Sequence, residues 1–350
     1  MPRKPRPFLE LAEPKTPEPE VLRNGSFGYI LLSGKLHTVT DDMITNSREK
    51  IGSGGYASVY RKVIRGIVLA RKDVKVDLTN DVGDIDKVLE KKLREVDVIK
   101  GCSMCPFIVH FYGYYVHRIN DCVLIHIFME ELAMSARFLK EETIRRGEKM
   151  IPEFVIGRIA CSVMNALWFL KEKMQIIHRD IKPSNILIDY DGRVKVCDFG
   201  ISGVLQNSVA VSVIGCQQYT APEITELAFD QSGYSVKSDI WSLGITVYEL
   251  ASLKFPYPKY EGIDLFGAIN DLEPPRLARD QHFSDNLVDF VQAVLQRDKE
   301  VRPHFSGVQN LAFFKEHDVP FSCMGTGIGV GNVKRQSVGA WLDQFLFAND

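Results

Sequence analysis

His178-Arg179-Asp180-Ile181-Lys182-Pro183-Ser184-Asn185-Ile186-Leu187 decides how this chain is read. The pattern that follows is a short hairpin: residues 186–188, a turn at Asp191-Gly192, then residues 194–197. An Asp-Gly pair between two apolar runs favours a two-residue β-turn. The hairpin delivers a second block, Asp198-Phe199-Gly200. Far upstream, Gly52-Ser53-Gly54-Gly55-Tyr56-Ala57-Ser58 lies between Ile51 and a strand-like run that starts at Val59. Chance co-occurrence of the three blocks in this order is negligible, although the glycine block alone is a weak signal.

Glycines let backbone N–H groups come close to phosphate oxygens. A nucleoside triphosphatase loop needs Gly-Lys-Ser/Thr after its glycines, and this sequence has none there. A dinucleotide fingerprint opens a helix, whereas residues 59–64 read as strand. Lys72 follows in Ala70-Arg71-Lys72, one strand further on. A lone strand lysine is ordinarily solvated, but this position brings an ammonium near the same phosphates. Glu95, on an expected helix over 87–100, is placed to pair with it.

Working outward, six of the sixteen prolines fall in the first twenty residues. Fixed φ and missing N–H donors make that an extended tail, with ordered sequence expected to begin between Tyr29 and Thr45. Strands are expected over 59–64 and 67–70, closed by Arg65-Gly66, and over 109–116 and 122–129. After Glu130 the period becomes helical. Pro152 suits a first helical turn, and Ile159, Val163, Leu167, Leu170 and Met174 form one apolar stripe. Residues 240–253 are apolar nearly all round, as in a buried helix. The fold class is therefore α+β: a small β-rich lobe with one helix, a hinge near Glu130, and a larger, mainly helical lobe. Gly325, Gly327, Gly329 and Gly331 read as a flexible linker before a last helix over 333–347. The domains expected are a tail over 1–40, a two-lobed unit over 45–315 (45–130 and 131–315), and a second tail over 316–350.

Composition narrows the class. At 350 residues, 45% hydrophobic and 25% charged, a wholly disordered chain is excluded. A net charge of −2 gives no global positive field for nucleic acid. The best uncharged windows, 101–116 and 199–222, are broken by Gly, Pro, Ser, Gln or His, so no bilayer-spanning stretch and no membrane partner are expected. Seven scattered cysteines suit a reducing compartment, so the expected location is the cytoplasm, with the nucleus also open. Cys102-Ser103-Met104-Cys105 has metal-ligand spacing but no second pair, which argues against zinc.

With these blocks in hand, the sequence resembles the protein kinase family. Ala221-Pro222-Glu223, Ser238-Asp239-Ile240-Trp241-Ser242-Leu243-Gly244 and Arg302 extend the match, which covers about residues 41–314. The resemblance implies the bilobal protein kinase fold and phosphoryl transfer from ATP, a reaction that needs charge neutralisation and in-line positioning more than covalent help. It implies that Asp180 accepts the substrate hydroxyl's proton and Lys182 contacts the γ-phosphate. Asn185 and Asp198 supply oxygen ligands to Mg²⁺, and Lys72, held by Glu95, grips the α- and β-phosphates. The resemblance also implies that Ile51, Val59, Ala70 and Leu187 sandwich adenine, with Gly52-Ser53-Gly54-Gly55-Tyr56-Ala57-Ser58 as the nucleotide loop. By the same resemblance, backbone groups of Glu130 and Leu132 would hydrogen-bond the base, with Met129 as gatekeeper.

Finer features are similar to the MAP kinase kinases. These are Ser184-Asn185-Ile186-Leu187, Cys197 directly before Asp198, Gly200-Ile201-Ser202-Gly203-Val204-Leu205, and Tyr234-Ser235-Val236-Lys237-Ser238-Asp239. Gly215-Cys216 and Phe255-Pro256-Tyr257, with no long Pro-rich insert after Pro258, look like the stress-activated branch. The Ser208/Ser212 pair and its distance to Gly215 look like the mitogen-activated branch; the reading leans to the stress branch. The segment from Phe199 to Pro222 carries no charged residue, and Ser208 and Ser212 match the family's activating phosphosites, with Arg179 a natural phosphate partner. Arg3, Lys4 and Arg6 followed by Leu9 and Leu11 resemble a docking peptide for a downstream MAP kinase. Trp341-Leu342-Asp343-Gln344-Phe345 resembles a site for an upstream MAP kinase kinase kinase, although plain docking of a terminal helix explains it equally well. Ala57 in place of a third glycine and Arg71 in place of an apolar residue are departures from the family pattern. The rival reading, a silent kinase fold serving as scaffold, would lack one of Lys72, Asp180, Asn185 or Asp198, and all four are present.

Overall fold

The computed structural model describes residues 26–45, 49–53, 57–77, 100–119, 122–198, 217–226, 234–279, 282–317 and 330–347. The first lobe is a seven-stranded antiparallel sheet of β1 (Phe27–Leu32), β2 (Lys35–Thr38), β3 (Lys50–Ser53), β4 (Ala57–Ile64), β5 (Ile67–Asp77), β6 (Phe111–Ile119) and β7 (Cys122–Glu130), in the order β2-β1-β6-β7-β5-β4-β3. The short helix α1 (Asp41–Thr45) follows β2. Arg65 (φ 53°) and Gly66 (φ 80°) close the β4–β5 hairpin as the sequence predicts, because two positive-φ residues match the twist of the paired strands.

The tail expected over 1–40 needs correction, because residues 27–38 are two strands of this sheet. Ser33 (φ 49°) and Gly34 (φ 75°) make another two-residue turn. Strand β1 fits against β6 because two glycines let the backbones touch: a Cβ on Gly113 would lie 1.9 Å from the Tyr29 carbonyl oxygen, and one on Gly28 2.2 Å from that of Tyr114. Ile30, Leu32, Val39 and Ile44 then form an outer apolar layer with Ile64, Leu69, Tyr115 and Phe128. Other boundaries also shift: β5 runs on to Asp77, and β6 begins at Phe111 rather than at residue 109. Of the helix expected over 87–100, all but Lys100 lies outside the described residues.

The second lobe holds β8 (Met134–Ser135), α2 (Ala136–Arg145), α3 (Glu153–Met174), the hairpin β9 (Ile186–Ile188) and β10 (Val194–Val196), α4 (Pro222–Glu226), α5 (Val236–Ser252), α6 (Gly262–Asp271), α7 (Asp285–Val294), α8 (Phe305–Asn310), α9 (Ala312–His317) and α10 (Val330–Phe347). Pro152 stands at the N-cap of α3, one place before the first turn. By length and composition α3 is apolar enough to cross a bilayer, contrary to the sequence expectation, but 83% of its apolar window is buried inside the molecule. It is the core helix, packed against α5. The helix α10 begins at Val330, earlier than the expected 333, and buries Val338 and Leu342 fully.

The lobes are stitched together behind the cleft. Val109 N–H donates to the Val196 carbonyl (3.0 Å) and Val196 N–H to that of Phe107 (2.8 Å). The hairpin bearing the second sequence block is thereby held by the chain that leads into β6.

Candidate active site

The residues of the decisive stretch converge at the mouth of the β9–β10 hairpin. A 3₁₀ turn over Pro183–Asn185 ends at Asn185, and Asp198 follows β10. The Asn185 amide nitrogen donates to Asp180 Oδ2 (2.8 Å) and to the Asp180 carbonyl (2.9 Å). Lys182 Nζ lies 2.9 Å from the same Oδ2. Across the cleft, Lys72 Nζ on β5 donates to Asp198 Oδ1 at 2.7 Å. Burial pushes the Asp198 carboxyl upward, but the Lys72 ammonium outweighs it and holds the group below its ordinary value. Asp198 thus stays an anion.

The loop is fixed from below by α5. Asp239, fully buried, accepts the backbone N–H of His178 (2.9 Å) and of Arg179 (2.8 Å). This grip holds Arg179 at φ 68°, a left-handed conformation that costs a non-glycine residue energy. Burial pushes the Asp239 carboxyl up to about 7 against these bonds. His178 Nδ1 accepts the Asp180 N–H (3.1 Å) while its Nε2 donates to the Cys197 carbonyl (3.0 Å). One accepting and one donating nitrogen define a neutral ring, and burial pushes its pKa down to about 4. His178 therefore ties the Asp180 loop to the strand end that carries Asp198.

The apolar wall expected to face the base forms from both lobes. Val109, Leu132 and Cys197 are buried together, with Met129 and Leu187 packed on them. Ala70 is buried and paired with Met129 across β5 and β7, and Val59 is paired with Lys72 across β4 and β5. Ile51 on β3 is exposed. The Glu130 N–H is committed to the His110 carbonyl (2.9 Å), which narrows the expected backbone contact of Glu130 to its carbonyl. Its carboxylate accepts the His110 N–H (2.7 Å) and meets the Lys195 ammonium.

Gly52, Ser53, Ala57 and Ser58 lie on β3 and β4, whereas Gly54, Gly55 and Tyr56 lie outside the described residues. So do Glu95, Ser208, Ser212, and Arg3, Lys4, Arg6, Leu9 and Leu11. The far end of the segment after Phe199 is anchored: Glu223 takes Arg302 in a two-point bond (2.8 and 2.9 Å) and accepts from Ser238 Oγ (2.8 Å). Arg302 is buried with its guanidinium 5.1 Å over the Trp241 ring. Arg179, expected to meet a phosphate, lies over the Tyr234 ring at 5.7 Å. Of the expected terminal motif, Trp341 and Phe345 stack at 4.8 Å, and Phe345 lies under the Arg146 guanidinium at 5.1 Å.

Sequence reasoning quoted Asp239 and His178 without assigning them a role, and it missed Val109 and the Glu130 carboxylate. Asp239 was readable from its motif. The Glu130 partners come from distant strands and left no local signal.

Asn185 and Asp198 offer an amide and a carboxylate oxygen beside Asp180, a hard donor set that fits a divalent cation. The ammoniums of Lys72 and Lys182 flank the same space, and the apolar wall ends at the hinge. This arrangement can bind a nucleotide and hold its phosphates against a base.

Comparison with known proteins agrees. The protein kinase domain model matches residues 45–314. The chain is 36% identical over 316 residues to MAP kinase kinase mkk-4 of Caenorhabditis elegans, covering 88% of this chain and 84% of that protein. It is 36% identical over 272 residues to dual specificity mitogen-activated protein kinase kinase sek-1 of the same organism, covering 77% of each. It is 34% identical over 293 residues to dual specificity mitogen-activated protein kinase kinase mek-1, covering 83% of this chain and 79% of that protein. With its fold, the family model and these relatives in agreement, the chain belongs to the MAP kinase kinase family of protein kinases.

Proposed function

We propose that this kinase transfers the γ-phosphoryl of MgATP to Thr and Tyr in the activation loop of a downstream MAP kinase in a stress-signalling cascade. An upstream MAP kinase kinase kinase switches it on at Ser208 and Ser212. The observation that carries the reading is the convergence of Lys72, Asp180, Lys182, Asn185 and Asp198 on one cleft. Dual specificity enters from the names of two relatives, and the stress branch from Gly215-Cys216 and Phe255-Pro256-Tyr257.

Asp180 orients the acceptor hydroxyl and takes its proton as the oxygen bonds to the γ-phosphorus and the bond to the β,γ-bridging oxygen breaks. Lys182 beside Asp180 neutralises charge on the moving group, and Lys72 holds the α- and β-phosphates. Bound Mg²⁺, held by Asn185 and Asp198, supplies further neutralisation of phosphate charge. Arg3, Lys4, Arg6, Leu9 and Leu11 add a second contact to the MAP kinase, which raises effective concentration.

The test uses the Ser208→Glu/Ser212→Glu protein with MgATP and a catalytically dead stress-type MAP kinase. The expected result is phosphate on both Thr and Tyr, lost in Asp180→Asn. Phosphate on neither residue of any MAP kinase, with ATP still bound, would favour the scaffold reading instead.

A further inference from the structure

Arg71 is one of the places where the sequence departs from the family pattern, and it is buried. Successive strand residues face opposite sides of a sheet. On β5, Ala70, Lys72 and Val74 face the cleft side, so Leu69, Arg71 and Asp73 face the outer layer. A guanidinium on a buried face is costly unless every side of it is matched. Here each side finds a partner. Asp73, two residues on and on the same face, takes Nε (2.8 Å to Oδ1) and Nη2 (2.8 Å to Oδ2). Nη1 donates to the Ile44 carbonyl. The plane lies over the Tyr60 ring at 5.2 Å. Asp73 is fixed in turn by His126 Nδ1 on β7 (2.7 Å).

The Ile44 carbonyl belongs to the end of α1, and the start of α1 is held as well, where Asp41 accepts the Tyr115 hydroxyl (2.5 Å). Arg71 and Tyr115 are thus two clasps that hold α1 against the back of the sheet; α1 ends an N-terminal cap, residues 27–45, whose two strands extend the sheet's edge. One clasp sits on the residue directly before Lys72.

We infer that Arg71 is a positioning residue for phosphate binding. Its bonds to Asp73 and to the α1 carbonyl lock β5 against the N-terminal cap, and that lock sets where Lys72 presents its ammonium. The cap is then part of the nucleotide site without touching the nucleotide. The inference rests on Lys72 as the phosphate-gripping cation and on nothing about the protein substrate.

The test titrates a non-hydrolysable ATP analogue with Mg²⁺ into the full chain and measures KM for ATP, kcat and Tm alongside. Arg71→Met should weaken nucleotide binding by roughly tenfold, the scale of one lost charge-assisted contact. At saturating ATP, kcat should stay within about twofold, because ground-state and transition-state grip fall together. Arg71→Met paired with Asp73→Leu removes both charges but leaves His126 Nδ1 without its partner, so Tm should recover in part while nucleotide binding stays weak. Tyr115→Phe, which opens the clasp on the other end of α1 and leaves β5 untouched, should shift KM for ATP in the same direction. Recovery of nucleotide affinity together with Tm in the double variant would overturn the inference, since Arg71 would then serve the fold alone. So would an unchanged KM in Tyr115→Phe. Lys72→Met separates the two readings: if it leaves affinity intact, the role given to Lys72 fails, and if only Lys72→Met weakens binding, the latch fails.

Discussion

The Lys195 ammonium on β10 grips the Glu130 carboxylate at the end of β7, so the hinge between the lobes is bonded to the hairpin whose ends carry Asn185 and Asp198. Both side chains are nearly buried, at 11% and 12% exposure. Lys195→Met leaves Glu130 with the His110 N–H and with Arg193 at 3.6 Å. The expected cost is about 1–3 kcal/mol, read as a lower urea midpoint at unchanged slope. An unchanged midpoint would mean Arg193 replaces the lost contact fully.

Arg302→Met strands the Glu223 carboxylate beneath α5. Removing one partner of a buried pair costs about 3–5 kcal/mol. Arg302→Lys should recover little, because one ammonium cannot reproduce the two-point bond and the stack on Trp241. Calorimetric melting of the two variants checks both statements.

Asp239 makes stability depend on pH. Its carboxyl ionises at about 7 in the fold against 3.8 when unfolded, so the native state holds a proton the unfolded chain has released. The stabilisation from that group is full below 3.8 and is lost as pH rises through about 7. His178 runs the other way: buried neutral, it takes a proton near 4 rather than 6.5, so its stabilisation is lost as pH falls through that window. Comparing wild type with Asp239→Asn cancels His178. Wild type should be the more stable at pH 4, and its lead should shrink by up to about 4 kcal/mol toward pH 7. A lead that stays constant from pH 4 to pH 7 would refute the shift.

Gly113→Ala should prise β1 away from β6. A Cβ there falls on the Tyr29 carbonyl, and backbone cannot yield as a side chain can. Limited proteolysis should then cut within residues 27–38 while leaving α3 and α5 protected. Cleavage patterns matching wild type would show that the strands tolerate the shift.

Much of the candidate site was legible because the chemistry of phosphoryl transfer would dictate residue identity: Lys72, Asp180, Lys182, Asn185 and Asp198 can be read one at a time, and the structure brings them together. The β4–β5 and β9–β10 hairpins were legible because Arg65-Gly66 and Asp191-Gly192 announce their turns. The N-terminal strands were not, although Ser33-Gly34 is a turn signal. The prolines before them bias the reading toward a tail, and β2, mostly exposed, shows little apolar alternation. Arg71 looked anomalous because its partners, Ile44, Tyr60 and the Asp73–His126 pair, are assembled by strand pairing rather than by neighbourhood in sequence.

The seam in which Gly28 lies against Tyr114 and Gly113 against Tyr29 also bears on where this chain can be cut. The family model begins at residue 45, yet among the described residues the sheet begins at Phe27. A chain trimmed to 45–314 would shed β1, β2, nearly all of α1 and all of α10, unroof Leu69 and Phe128, and leave β6 with an open row of amide and carbonyl groups. Such an edge invites pairing with another molecule. The trimmed protein should therefore be sticky in solution while the candidate site remains intact, a trait easily mistaken for self-association with a biological purpose.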